Sequence, residues 1–445
     1  MKKITFYLCG KKGKDKMKSI SKKQSILCLL LVFILLLGSW GGMQFVSEKK
    51  ITEAIKQEKI VQTGKEAEEF RAIWISYIDL QNAGVAQMSK SKFEKCIGKM
   101  FDKCVNLKMN TVIVQVRPMG DAMYQSKYFP WSVVASGKQG RSPGYDPLKC
   151  MVSAAHKRGL SIHAWINPYR VTLSGTNVNQ LSKKNYARKW KKSSSASKRR
   201  NVLSLDGKLY YNPAKKDVQN LIVNGIKEIV TKYDVDGIHF DDYFYPALGG
   251  NYKSNFDAKE YNVYKKTCKK KKKKALSIVQ WRRNNINTLV KKVYKTIKSV
   301  DKTIQFGISP AGNLANLYAS DRYYVDVKKW MGNTGYIDYI CPQIYWSFTN
   351  KYCPYKKTVK SWVDIKKKNN VDLYIGLAAY RAGISKKEAK AIGDIGWSKS
   401  KKELKKQVLA ARKYSKVKGF VFYRYDNMVS SRLKTEVKNL KKVLK

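Results

Sequence analysis

Eight short runs rich in β-branched and aromatic residues recur along the chain, at residues 70–78, 111–116, 161–167, 237–241, 305–310, 339–345, 373–378 and 419–423. Between them lie longer stretches with helical periodicity, among them 93–107, 147–158, 215–233 and 275–300. Eight strands, each followed by a helix, predict an α/β fold that closes as a (β/α)8 TIM barrel rather than an open sheet. Such a barrel uses about 250 residues or more. One barrel with insertions therefore nearly fills a chain of 445 residues.

The two-residue period of a strand says which side chains share a face. In the run from Thr111 to Arg117, Val112, Val114 and Val116 form one face, which must pack against helices. Gln115 and Arg117 are then expected inside the barrel near its C-terminal mouth, where enzymes of this architecture place their chemistry. Applied to every strand end, the same reading collects Asp79, Arg117, Asp121, Asn167, Tyr169, Arg170, His239, Asp241, Asp242, Tyr243, Gln343, Tyr345, Trp346, Tyr380, Arg381, Arg424 and Asp426. Carboxylates, arginines and aromatic rings gathered at one mouth suit a sugar-binding cleft.

The N-terminus sets the expected compartment. Nine lysines and one aspartate precede Gln24, and residues 24–47 carry no charge. An uncharged stretch of about 20 residues can span a bilayer. Residues 1–23 read as a basic cytoplasmic region, 24–47 as a signal anchor or signal peptide, 48–69 as a charged spacer, and 70–445 as the barrel. Ser39-Trp40-Gly41 is a poor cleavage site, so a single-pass anchor with the barrel outside is favoured over secretion.

Ninety Lys and Arg against 32 Asp and Glu give a formal charge of +58. Polycations gain affinity for phosphate by releasing counterions, so nucleic acid must be weighed. The charge is diffuse, however, and interleaves with no nucleic-acid module, which argues against specific binding of that kind. A lysine-covered surface suits acidic wall polymers or lipid headgroups instead. The eight cysteines are irregularly spaced, with no Cys-x-x-Cys, and do not read as a disulfide framework. The three histidines, His156, His163 and His239, form no metal-ligand grouping, and no phosphate-cradling loop appears, so neither metal nor cofactor is expected.

Several blocks carry a resemblance. They are NTVIVQVRPMGDAMY from Asn110, PGYDPL from Pro143, AHKRGL from Ala155, HAWINPYR from His163 and YDVDGIHFDDYFYP from Tyr233. QWRRN from Gln280, FGISP from Phe306, DYICPQIYW from Asp338 and LYIG from Leu373 continue the series. Together, from about residue 70 to 426, they resemble the bacterial glycosyl-hydrolase-like family 10. The resemblance implies a (β/α)8 barrel, an exported or surface-bound location, and glycosidase chemistry on a bacterial or environmental polysaccharide. Two departures stand out. Ala311-Gly-Asn-Leu314 replaces the family's Trp-Arg-Asn stretch on a mouth loop, and Asn212-Pro-Ala214 replaces Asn-Pro-Gly at a position read as structural.

Glycoside hydrolysis generally needs two carboxyl groups across the scissile bond. Asp241 shares the inward face of its strand with His239, and Asp242 begins the following loop. Asp236-Gly-Ile-His-Phe-Asp241 is similar to the fourth-strand motif of other barrel glycosidases, which gives Asp241 the role of nucleophile or electrostatic stabiliser. The acid is sought at Asp242, with Asp121 and Asp426 as alternates. Arg117, Asn167, Tyr169, Arg170, His239, Tyr243, Gln343, Tyr345, Trp346 and Arg381 are the expected sugar-binding residues. The missing second carboxylate on later strands leaves a rival reading, a non-catalytic carbohydrate or wall-binding protein on the same barrel.

Overall fold

The computed structural model describes residues 68–444 except Asn369. The eight runs become β1 (Phe70–Ile75), β2 (Thr111–Arg117), β3 (Ser161–Ile166), β4 (Gly237–Phe240), β5 (Gln305–Ile308), β6 (Tyr339–Ile340), β7 (Asp372–Ala378) and β8 (Val417–Tyr423). Each is parallel to its neighbours, and β8 pairs with β1 to close the barrel. The helices that return between and after them are α1 (Lys90–Asn106), α2 (Pro147–His156), α3 (Lys216–Lys232), α4 (Ile278–Val300), α5 (Val327–Gly332), α6 (Tyr355–Val363), α7 (Glu403–Ala411) and α8 (Lys434–Lys441). This is the expected (β/α)8 order. Among the described residues no helix is long and apolar enough to cross a membrane, and the proposed anchor at 24–47 lies outside them.

The barrel wall separates two apolar populations. Val112, Val114, Ile162, Ile238 and Ile308 face outward into the helix layer, and Ala72, Trp74, Ile113, Trp165, Tyr339, Tyr374 and Val421 fill the interior. The inner floor is aromatic: Phe70 stacks on Tyr374 at 4.1 Å, and Tyr339 packs beside His163 and His239. Room for these rings comes from small residues facing them. A Cβ on Gly307 would overlap the Tyr339 ring, so β5 gives its inner space to β6.

Three details depart from the expected strands. β1 stops at Ile75, because Ser76 caps a short helix, Tyr77–Asn82, in a reciprocal arrangement with Asp79. β6 is reduced to two residues, since Pro342 cannot continue the ladder; Gln343 then makes isolated bridges to Ala311 and Gly376. In β2 the register passes from Gln115 opposite Trp165 to Arg117 opposite Ile166, leaving Val116 as an extra residue. A bulge of this kind turns the following side chain to the other face.

The β3–α3 connection carries an antiparallel hairpin, Val202–Leu205 with Lys208–Tyr211. Buried Asn212 closes it, donating to Arg200 O and accepting from the Ala214 amide, which gives the Asn-Pro-Ala departure its structural role. The long β4–α4 connection is fastened from beneath. Arg282 and Asp257, both fully buried, pair at 2.7 Å, Tyr245 donates to the same carboxylate, and Tyr324 accepts from the guanidinium.

Candidate active site

Strand alternation brings Gly237, His239 and Asp241 to the inner face, and their heights divide their roles. His239 lies within the barrel, fully buried. The Trp74 indole donates to His239 Nε2 at 3.1 Å, which leaves Nδ1 protonated to donate to Tyr339 Oη, and Tyr339 in turn donates to His163 Nδ1. Burial and the neighbouring His163 hold His239 well below the usual histidine pKa. The ring is a neutral strut, not the sugar contact expected of it.

Asp241 stands one layer higher, at the mouth. Its Oδ1 accepts from the Tyr243 amide at 3.0 Å and its Oδ2 from the Trp165 indole at 3.1 Å. Asn167 joins this network, accepting from Trp165 and from Gln115, while its buried Nδ2 has no protein hydrogen-bond partner among the described residues. Asp242 follows, half-buried, hydrogen-bonded by Gln343. Burial, and next the charge of Asp242, push the Asp241 carboxyl well above the ordinary range. Burial raises Asp242 to about 6. Arg170 offsets part of both effects; its guanidinium lies 4.2 Å over the Tyr243 ring, and the hairpin seats its backbone through a bridge to Tyr210.

One wall is aromatic. Tyr345 stacks on Tyr423 at 6.0 Å, and Tyr380 meets both rings edge-on. Arg381 hydrogen-bonds Tyr380 Oη and flanks that wall. Trp346 is half-buried, with its ring against the position a Cβ on Gly312 would take. The same Cβ would strike the Gln343 backbone, so Gly312 lets the β5 loop lie directly on the segment that carries Gln343, Tyr345 and Trp346. The departure at 311–314 thus sits in the mouth wall.

The structure gathers Asn167, Arg170, Asp241, Asp242, Tyr243, Gln343 and Tyr345 around one opening, with Trp346 and Arg381 on its wall, and places His239, Arg117, Tyr169, Asp121 and Asp426 elsewhere. Arg117, turned by the bulge, is buried on the outer wall, with its guanidinium 4.2 Å over Phe129 and beside Tyr124 and Gly225 of α3. Tyr169 is buried in the outer core under the hairpin, where its carbonyl accepts from the Tyr211 amide. Asp121 is buried in the β2 loop, bound by Gln139 and Ser132, and burial raises it to about 6. Asp426 is tied to Arg424 and Asn82, and Arg424 also pairs with buried Asp79 at 2.6 Å. Two further residues stand at the mouth, Tyr423 against Tyr345 and Tyr323 near the charge of Asp242. Tyr423 is legible as a terminal strand position; Tyr323, held at φ 58° and bridged to Tyr245, has no sequence signal.

A closed parallel barrel with paired carboxylates and stacked rings at the C-terminal ends of its strands is the architecture of barrel glycoside hydrolases. The chain belongs to the glycosyl hydrolase-like 10 family, whose model matches residues 69–393. It is 38% identical over 332 residues to glycosyl hydrolase YngK of Bacillus subtilis (strain 168), covering 70% of this chain but only 61% of that relative's length. It is 33% identical over 400 residues to glycosyl hydrolase DigH of Escherichia coli (strain K12), covering 85% of this chain and 88% of the relative. The fold also matches the PgaB (BpsB) glycoside hydrolase domain from Bordetella bronchiseptica, with a TM-score of 0.51 at 11% identity over 85% of this chain and 99% of that one.

Proposed function

We propose that this protein is an exported glycosidase that hydrolyses O-glycosidic bonds of a cell-surface or environmental polysaccharide, tethered to the membrane by residues 24–47. The observation that carries the reading is the pairing of buried Asp241 with half-buried Asp242 beside Arg170 and Tyr243. Two adjacent carboxyls with raised pKa values share a proton at neutral pH, because ionising both would place like charges together out of water. Asp241, the deeper and more strongly raised, keeps that proton and delivers it to the leaving glycosidic oxygen. Asp242, more open to the mouth, keeps the negative charge and stabilises the cation developing on the sugar. This reverses the roles assigned from sequence. Asn167 Nδ2 and Gln343 are placed to hold sugar hydroxyls, and Tyr345 and Tyr423 offer the ring faces.

Purified full-length protein should release reducing ends from a polysaccharide among bacterial and environmental glycans. Saturable glycan binding with no release from any of them would favour the non-catalytic carbohydrate-binding reading. Trp346 tests the wall independently. Trp346→Ala is expected to weaken glycan binding by about 1–3 kcal/mol, as for aromatic anchors, measured by titration calorimetry. Its cost in stability should stay well below the about 3–5 kcal/mol of a fully buried tryptophan. Equal losses in binding and stability would make it a core residue.

The tether has its own test. Protease added outside intact cells is expected to digest the barrel and leave a small protected N-terminal fragment. An intact barrel found only in the cytosol would remove the export claim.

A further inference from the structure

The end of the barrel opposite the mouth carries a concentration of lysine that the proposed chemistry does not use. Lys434, Lys438 and Lys441 of α8, Lys442 just after it and Lys108 before β2 make up five of the six residues lining a groove of about 470 Å³. Beneath β7, Lys366, Lys367 and Lys368 line a second depression of about 540 Å³. Burial, and then Lys416, before β8, and Lys418, at its start, disfavour the charge of Lys367. Carboxylates of this end are already engaged: Glu69 by Arg412, Asp364 by Lys360 and Asp338 by Lys298. Asp372 faces Lys367 and Lys418 and offsets part of their charge, but the lysines outnumber it, and such crowding is a standing cost that an anionic surface would relieve.

The chain joins the barrel inside this patch. Glu69, the residue before β1, is held by Arg412, which also donates to Val443 O at 2.7 Å. Arg71 donates to Lys108 O, and Lys108 donates to Leu444 O, so the start of β1 lies against the lysine-lined groove. Residues 48–69 can reach at most about 75 Å when fully extended. The anionic surface nearest to that junction is therefore the one that holds the tether.

We propose that the N-terminal end of the barrel is a docking face for an anionic phospholipid bilayer, seating the barrel base-down with its mouth turned away from the membrane. The proposal rests on the membrane tether inferred above. Basic residues held within a Debye length of a membrane surface are attracted by anionic lipid. A base-down barrel would present Asp241 and Asp242 to polymer lying beyond the membrane surface.

Full-length protein in lipid nanodiscs tests it by backbone hydrogen exchange. In discs containing phosphatidylglycerol, residues 364–372, 412–418 and 434–444 should exchange at least about tenfold more slowly than in phosphatidylcholine discs. Residues 241–250, at the mouth, should not change. Molar salt should abolish the difference, as should the combined variant K366Q/K368Q/K438Q/K442Q, which alters exposed side chains only. Equal exchange in both discs would overturn the docking face, as would protection centred on the mouth. So would protection by soluble wall polyanion in place of lipid. Flotation with neutral vesicles at high salt reports on the tether alone: failure to float would sink the tether reading, whereas flotation without lipid-dependent protection would sink only the docking face.

Discussion

Asp241→Asn is expected to lower turnover by a factor on the order of 10³ or more while folding and glycan binding persist. The substitution keeps the volume and one of the two accepted hydrogen bonds, from the Tyr243 amide at the Oδ1 position or from the Trp165 indole at the Oδ2 position. What it removes is the proton that the proposed mechanism assigns to Asp241. The measurement is single-turnover hydrolysis of the confirmed glycan, with thermal melting as the control for folding. Unchanged turnover would take Asp241 out of the reaction and move the search to Asp121 and Asp426.

Asp242→Asn gives the complementary result, and its sign is fixed by the electrostatics. The Asp242 charge is the second cause, after burial, of the raised Asp241 pKa. Removing it lowers that pKa, so protonated Asp241 disappears at a lower pH than in the wild type. Where Asp241 is the acid, the alkaline limb of kcat/KM shifts toward acid, together with a loss of turnover. An alkaline limb that stays in place would assign the proton to another group.

Much of this site could be read from the order of residues, and the failures share a cause. Strand ends and helix spans follow from hydrophobic periodicity, so Asn167, Asp241, Gln343 and Tyr345 fall at the mouth as expected. A period of two gives a face but not a height. That is why His239, correctly inward, proves to be a strut bonded to Trp74 and Tyr339 one layer below the opening. Arg117 fails differently. Val112, Val114 and Val116 alternate without interruption, and nothing in TVIVQVR announces that Val116 is supernumerary against β3. Tyr169 was hidden by a hairpin some forty residues later in the chain, whose packing no local pattern reveals.

The same limit applies to the contact with the largest expected effect on stability. Asp257 and Arg282 stand 25 positions apart, one before the insertion helix Ala258–Lys270 and the other on α4. Asp257→Ala is expected to destabilise the barrel by about 3–5 kcal/mol, because it strands the fully buried Arg282 without a counter-charge. Tyr245 would lose its acceptor at the same time. Asp257→Asn should cost less, since its one amide oxygen can still accept from Arg282 at the Oδ1 position, although Tyr245 then loses its acceptor and the guanidinium charge stays uncompensated. Restoring neutrality by the double change Asp257→Ala and Arg282→Met should recover most of the loss. Chemical denaturation of the wild type, Asp257→Ala, Arg282→Met and the double variant measures the coupling. Because this pair fastens the loop that follows Asp242, Asp257→Ala should also depress turnover at temperatures where the protein is still folded. If the double variant is no more stable than Asp257→Ala alone, the stranded charge is not the source of the loss, and packing of Tyr245 and Tyr324 against the guanidinium carries it instead.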